Sequence, residues 1–149
     1  MGLPDRQHRR LGADSVDTGD VSGDGLVDIV VTIGGNKPTS GLVVFRHGDQ
    51  GGLLSQETWA SYDIPEAVVV TDADVDGDAD IVTVHGGWNR VGLYRQSGSG
   101  RIGPEELYVV PYASHYTHRG LAVGDVTGDG CPDVLLADYN HGLVLLPGR

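Results

Sequence analysis

Three stretches decide how this sequence is read: Gly19-Asp20-Val21-Ser22-Gly23-Asp24-Gly25-Leu26-Val27-Asp28-Ile29-Val30, Thr71-Asp72-Ala73-Asp74-Val75-Asp76-Gly77-Asp78-Ala79-Asp80-Ile81-Val82, and Gly124-Asp125-Val126-Thr127-Gly128-Asp129-Gly130-Cys131-Pro132-Asp133-Val134-Leu135. Their leading aspartates stand at 20, 72 and 125, a period of 52 and then 53 residues. Self-similarity at a period of that size marks a repeat architecture, in which each unit buries its apolar face against the next. Just under three units fill the 149 residues.

The surroundings of the three loops recur as well. A short strand-like run precedes each one, at 15–18, 67–71 and 120–123. An apolar run follows at 27–33, 79–85 and 132–137, then a turn and a second run at 42–46, 91–95 and 143–146. More polar strands close the first two units near 55–62 and 105–112. Val, Ile and Leu runs bounded by Gly and Asn read as β-structure. No stretch keeps an apolar period of 3.6, so helix is expected to be nearly absent. Four antiparallel strands per repeat describe a β-propeller blade. The expected fold is therefore all-β, with blades at 14–63, 64–112 and 113–149. Their inner strands should be apolar on both faces, because neighbouring blades cover them. A β-sandwich also uses short strands, but it has no need of one loop three times.

Each loop sets oxygen-bearing side chains at positions 1, 3, 5 and 9 and glycine at position 6. In loop one these are Asp20, Ser22, Asp24 and Asp28, with Gly25; in loop two Asp72, Asp74, Asp76 and Asp80, with Gly77; in loop three Asp125, Thr127, Asp129 and Asp133, with Gly130. The glycine permits the positive-φ turn that brings the chain back on itself. The position-7 carbonyls of Leu26, Asp78 and Cys131 would add one more oxygen each. All-oxygen ligands in irregular geometry select a hard cation, and Ca²⁺ over Mg²⁺. An EF-hand would need Glu at position 12 and flanking helices; position 12 is Val31, Thr83 or Leu136, and the flanks are strands. Asp and Gly are also ordinary turn residues, but the same register three times argues for the metal. Loop two, with four carboxylates, is expected to bind most tightly; the other two have three each.

The pattern of apolar strand, Gly-Asp-hydrophobic-x-Gly-Asp-Gly, two residues, Asp and apolar strand resembles the FG-GAP repeat, the blade of integrin-α-type and bacterial VCBS-type propellers. The resemblance spans about 14–147. It implies up to three Ca²⁺, one per blade, held between first and second strands by the residues named above. Loop two departs in carrying Thr71 for Gly and Asp78-Ala79 before Asp80, and neither change removes a ligand. The resemblance also implies an extracellular or cell-surface setting. Family propellers close with about seven blades, so three leave faces and edges uncovered. Residues 5–12 are a candidate outer strand completing the last blade. Either the chain is a segment of a longer propeller, natural or engineered, or copies associate head to tail into a closed ring. The second is favoured.

Charge and composition agree with this reading. The chain has 21 Asp and Glu against 10 Lys and Arg, for a net charge of −11, and 17 of the acids are Asp. That charge and the lack of a basic stripe disfavour nucleic acid. No apolar stretch approaches the ~20 residues of a membrane span. The opening Met1-Gly2-Leu3-Pro4-Asp5-Arg6 has no apolar h-region, so no export signal is expected in it. A single cysteine, Cys131, allows no intrachain disulfide, and its acidic loop would keep the thiol unreactive. Ten of the acids are side-chain ligands in the loops, so much of the acidity is local.

Loops on the opposite rim carry Asn36, Lys37, Trp88, Asn89, Arg90, Tyr139, Asn140 and His141, with Tyr62, Tyr112, His115, Tyr116 and His118 on other connections. Aromatic, Asn, Arg and His residues on loops suit glycan stacking or protein recognition; they equally suit turns and blade junctions. His115-x-x-His118 lacks the further ligand a zinc site needs. No Gly-x-Ser-x-Gly, Walker-type or dinucleotide fingerprint is present. The expected function is a non-enzymatic, Ca²⁺-stabilised scaffold for protein or glycan binding. The alternatives are a module of a polysaccharide-acting propeller enzyme and a propeller fragment selected or engineered to self-assemble.

Overall fold

The computed structural model describes residues 12–48, 50–113 and 120–149. The candidate closing strand, apart from Gly12, and His115, Tyr116 and His118 lie outside the described residues. Among those described there is no helix, and hence none long and apolar enough to cross a membrane.

The first sheet contains β1 (Ala13–Gly19), β2 (Asp28–Ile33), β3 (Gly41–His47) and β4 (Leu53–Ala60), side by side in chain order. The second contains β5 (Pro65–Thr71), β6 (Asp80–His85), β7 (Arg90–Tyr94) and β10 (Glu106–Val109), again in chain order. A small hairpin, β8 (Gln96–Ser97) with β9 (Arg101–Ile102), is inserted before its outer strand. The third sheet contains β11 (Leu121–Gly124), β12 (Asp133–Asp138) and β13 (Gly142–Leu146). Every pairing is antiparallel. The register repeats: Ile29 faces Phe45, Ile81 faces Tyr94, and Val134 faces Leu146.

The sheets stack as propeller blades do. Val30, Leu42 and Val44 of the first pack on Val68, Ile81 and Tyr94 of the second. On its other face the second sheet puts Val82, Val84, Val91 and Leu93 against Leu121, Leu136 and Val144 of the third. With both faces covered, all six residues of β6 are buried, its polar Asp80, Thr83 and His85 along with its aliphatic Ile81, Val82 and Val84. Each fully buried aliphatic side chain stabilises the stack by about 1.5–3 kcal/mol. Polar bonds fix the stacking register: Thr32 Oγ1 donates to the Glu66 carbonyl at 2.7 Å, and Val70 N donates to Asp17 Oδ2 at 2.8 Å.

The inserted hairpin was not foreseen from the sequence, whose strand-like runs stop at Arg95 and resume near 105. Its strands are two residues each, too short to leave a periodic signal.

Candidate metal centres

The three acidic loops connect the first and second strands of the three sheets. Each is wound around its first aspartate. Asp20 accepts from the amides of Gly23, Asp24 and Gly25 at 2.7, 3.2 and 2.7 Å. Asp125 accepts likewise from Gly128, Asp129 and Gly130 at 2.6, 3.2 and 2.9 Å, and Asp72 from Asp76 and Gly77 at 3.1 and 3.0 Å. The position-5 carboxylates of Asp24, Asp76 and Asp129 each accept from the amide two residues on, at 2.8–2.9 Å. The loop is thus a ring of amides facing inward on carboxylates.

Glycine at position 6 takes φ of 85°, 96° and 89° at Gly25, Gly77 and Gly130, the turn expected there. Position 4 is also left-handed: Gly23 and Gly128 adopt 69° and 79°, while Val75 is forced to 65°. A β-branched residue strains in that region by roughly 1–3 kcal/mol. Val75 is 61% exposed, so its side chain has little packing to lose. Val75→Gly is expected to raise stability by about 1 kcal/mol in urea unfolding; a loss would show that the strain is absent.

Position 9 ties each loop to its blade. Asp28, Asp80 and Asp133 are wholly buried. Each accepts from the amide two residues beyond the third-strand partner of position 10 (Phe45, Tyr94 or Leu146): His47 at 2.9 Å, Gln96 at 2.8 Å and Gly148 at 2.9 Å. The second oxygen of Asp80 takes the Ala73 amide at 3.0 Å, and that of Asp133 takes Val126 and Thr127 at 2.9 Å each. Loop one differs. There the Val21 amide turns to the Gly19 carbonyl at 3.0 Å, and buried Asp28 Oδ2 is left with no hydrogen-bond partner. A buried carboxylate oxygen without donor or cation is costly, so this oxygen is open to a donor or a cation.

In loop two, oxygens of Asp72, Asp74 and Asp80 come within 4.8 Å of one another. Burial pushes the Asp80 carboxyl up, with the charges of Asp74 and Asp76 acting the same way against the Gln96 and Ala73 amides. Hydrogen bonds, the Gly148 amide first, hold Asp133 down. The Arg95 guanidinium already pairs with Asp74 and reaches Glu106 at 3.3 Å. The equivalent Arg46 pairs with Glu57 at 3.0 Å and finds Ser22, not an acid, at position 3. Loop two's extra carboxylate is therefore paired with Arg95, which charge counting along the loop alone misses. All-oxygen donor sets, a clustered trio of carboxylates and an orphaned buried oxygen fit a hard cation such as Ca²⁺.

Residues 72–136 match the family model of the FG-GAP-like repeat. That span takes in loops two and three and the blade between them. The chain also resembles the solved structure of the Photorhabdus luminescens Tc holotoxin pore, with a TM-score of 0.56, 19% identity and 87% of this chain covered. It spans 6% of that protein's chain, so the likeness is one of fold. No curated protein matches.

The rim residues are brought together in pairs across blades. Tyr62 meets Trp88 edge-on at 6.0 Å and His85 at 5.6 Å, under Lys37 Nζ at 5.0 Å from its ring. Tyr112 stacks on His141 at 3.4 Å, and His141 Nδ1 lies 2.8 Å from Asp138. Asn89, at φ 52°, takes the Ala113 amide on its side-chain oxygen at 2.9 Å. Arg90 Nη1 donates to the Asn89 carbonyl at 2.9 Å. Asn36 sits in the β2–β3 turn, its carbonyl taking the Thr39 amide at 3.0 Å. The Asn140 amide donates to Asp138 at 2.9 Å, and Tyr139 is 76% exposed.

One buried cluster escaped sequence reasoning. His85 is fully buried, with Nε2 2.8 Å from Glu105 Oε1 and Nδ1 3.1 Å from the Asp63 carbonyl. Glu105 also accepts from the Tyr62 amide at 2.6 Å and Ser61 Oγ at 3.2 Å. Both ring nitrogens face oxygen partners. Burial alone would raise the Glu105 carboxyl, but the hydrogen bond and charge of His85, with the Tyr62 amide, hold it below its ordinary 4.5. A depressed carboxylate stabilises the fold above the unfolded pKa and loses that contribution as pH falls through the folded one. Wild-type melting should therefore drop below about pH 4.5, and Glu105→Gln should flatten that acid limb; an unchanged limb would contradict the pairing. The same Glu105 borders a groove of about 890 Å³ between the first sheet and the hairpin, with Trp59, Tyr94 and Arg101 on its walls.

Proposed function

We propose that the chain is a non-enzymatic, calcium-binding β-propeller module whose acidic loops stabilise each blade, and a scaffold for protein or glycan partners on its opposite rim. The observation that carries this reading is buried Asp28 with its unpartnered Oδ2, inside a loop whose remaining ligands are all oxygen. The trio of Asp72, Asp74 and Asp80 supports it in the second blade. The ligand set is the one expected from the sequence: the oxygens at positions 1, 3, 5 and 9 and the carbonyls of Leu26, Asp78 and Cys131. Bound Ca²⁺ would neutralise the carboxylates that otherwise repel one another.

Calorimetric titration of the metal-stripped chain tests the reading. Up to three Ca²⁺ should bind, with affinities of about 10⁻⁴–10⁻³ M, as in extracellular modules. Asp76→Ala should weaken loop two more than Ser22→Ala weakens loop one. Absence of any saturable Ca²⁺ site would overturn the proposal. Sites of that strength suit the calcium-rich space outside cells or at their surface, which is the setting we propose.

Self-association is part of the same reading. On β13, Val144 faces the second sheet while Leu143 and Leu145 point away from it, 69% and 41% exposed. A blade face of this kind is covered in a closed propeller by the next blade. A head-to-tail ring of copies, or the rest of a longer propeller, would cover it. Light scattering that gave a stable 15.7 kDa monomer would contradict the ring.

A further inference from the structure

Gln96 belongs to the second blade, yet its side chain lies under the loop of the first. Its Nε2 donates to the Asp20 carbonyl at 2.9 Å, across 76 residues of sequence, and to the Ala79 carbonyl at 3.0 Å. Its own amide donates to Asp80 Oδ1 at 2.8 Å. One residue, 97% buried by its 3% exposure, therefore grips position 1 of loop one and positions 8 and 9 of loop two. The hairpin it opens is pressed on loop one: a Cβ at Gly100 would run into the Ser22 carbonyl, so only glycine fits at that approach. The residues in the equivalent register are His47, whose amide serves its own loop's Asp28, and Gly148, which has no side chain. Loops one and two are bridged in this way, whereas the residue that would bridge two and three has nothing to do it with.

We propose that Gln96 is a positioning residue that couples the calcium loops of the first and second blades, so that filling one favours filling the other. The inference rests on the calcium reading of the loops. A cation drawn in by Asp20 orders the residue whose carbonyl Gln96 holds. Gln96 in turn fixes the backbone and carboxylate at the end of loop two. The ordering needed by the second site is then partly complete before its cation arrives, which gives positive coupling. Loop three, without such a bridge, fills independently.

The test follows Ca²⁺ titrations through the amide resonances of Gly25, Gly77 and Gly130, which report the loops separately. Asp24→Asn, which disables loop one, should weaken Ca²⁺ binding at loop two by about five-fold or more, and Asp76→Asn should do the same to loop one. Asp129→Asn should leave both unchanged. On a Gln96→Met background the reciprocal effect should vanish. Gln96→Asn, one methylene too short to span both carbonyls, should reduce it likewise and serves if the first variant folds poorly. The proposal is overturned if loops one and two bind Ca²⁺ but independently, or if the coupling survives both substitutions. Loss of every Ca²⁺ response in the unsubstituted chain would instead overturn the calcium reading itself, and this inference with it.

Discussion

Glu105→Ala is expected to lower stability by about 3–5 kcal/mol, the cost of leaving one partner of a buried ion pair unmatched. His85 would be left at zero exposure with the Asp63 carbonyl as its remaining hydrogen-bond partner among the described residues. The Tyr62 amide and Ser61 hydroxyl would lose their acceptor as well. Because Ser61 and Tyr62 lie between β4 and β5, the damage falls where the chain passes from the first blade to the second. Urea unfolding read by tryptophan fluorescence measures it. A loss under 1 kcal/mol would mean that water replaces the carboxylate easily. His85→Leu together with Glu105→Leu should cost much less than either half of the pair removed alone, since replacing both partners leaves no buried charge behind.

The second large effect separates metal binding from loop architecture. Asp80→Ala should destabilise the metal-free chain, because it leaves the amides of Gln96 and Ala73 unmatched, at about 1–3 kcal/mol for each buried donor. Asp76 is exposed and, among the described residues, accepts from the Asp78 amide alone. Asp76→Ala should therefore change metal-free stability by less than about 0.5 kcal/mol, yet remove much of the stabilisation that Ca²⁺ adds. If both substitutions cost the same without metal, position 9 does not hold the blade together as the hydrogen bonds indicate.

What the sequence made legible was set by repetition. Three copies of one loop gave the period, and alternating or continuous apolar runs placed the blade strands within a few residues of β2, β6 and β12. The glycine at position 6 was readable because a left-handed turn leaves a compositional mark. Position 4 was not, since Val75 there hides the same backbone behind an unsuitable side chain. Gln96 and the His85–Glu105 pair were out of reach for another reason. Each is singular within the repeat, and its partners come from distant chain positions, so no spacing announces them. Arg95 shows the same limit: a loop read by itself shows four carboxylates, and only the folded blade brings the guanidinium that pairs with Asp74.

The central claim, that these loops are calcium sites supporting the blades, is tested most directly by melting the chain in Ca²⁺ and in EDTA. Binding to folded loops alone raises stability by mass action, by about 2.7 kcal/mol for one site at a hundred-fold excess over Kd. The account predicts a melting temperature that climbs with Ca²⁺ concentration and falls back in EDTA. Superimposable melting curves in the two conditions would contradict it.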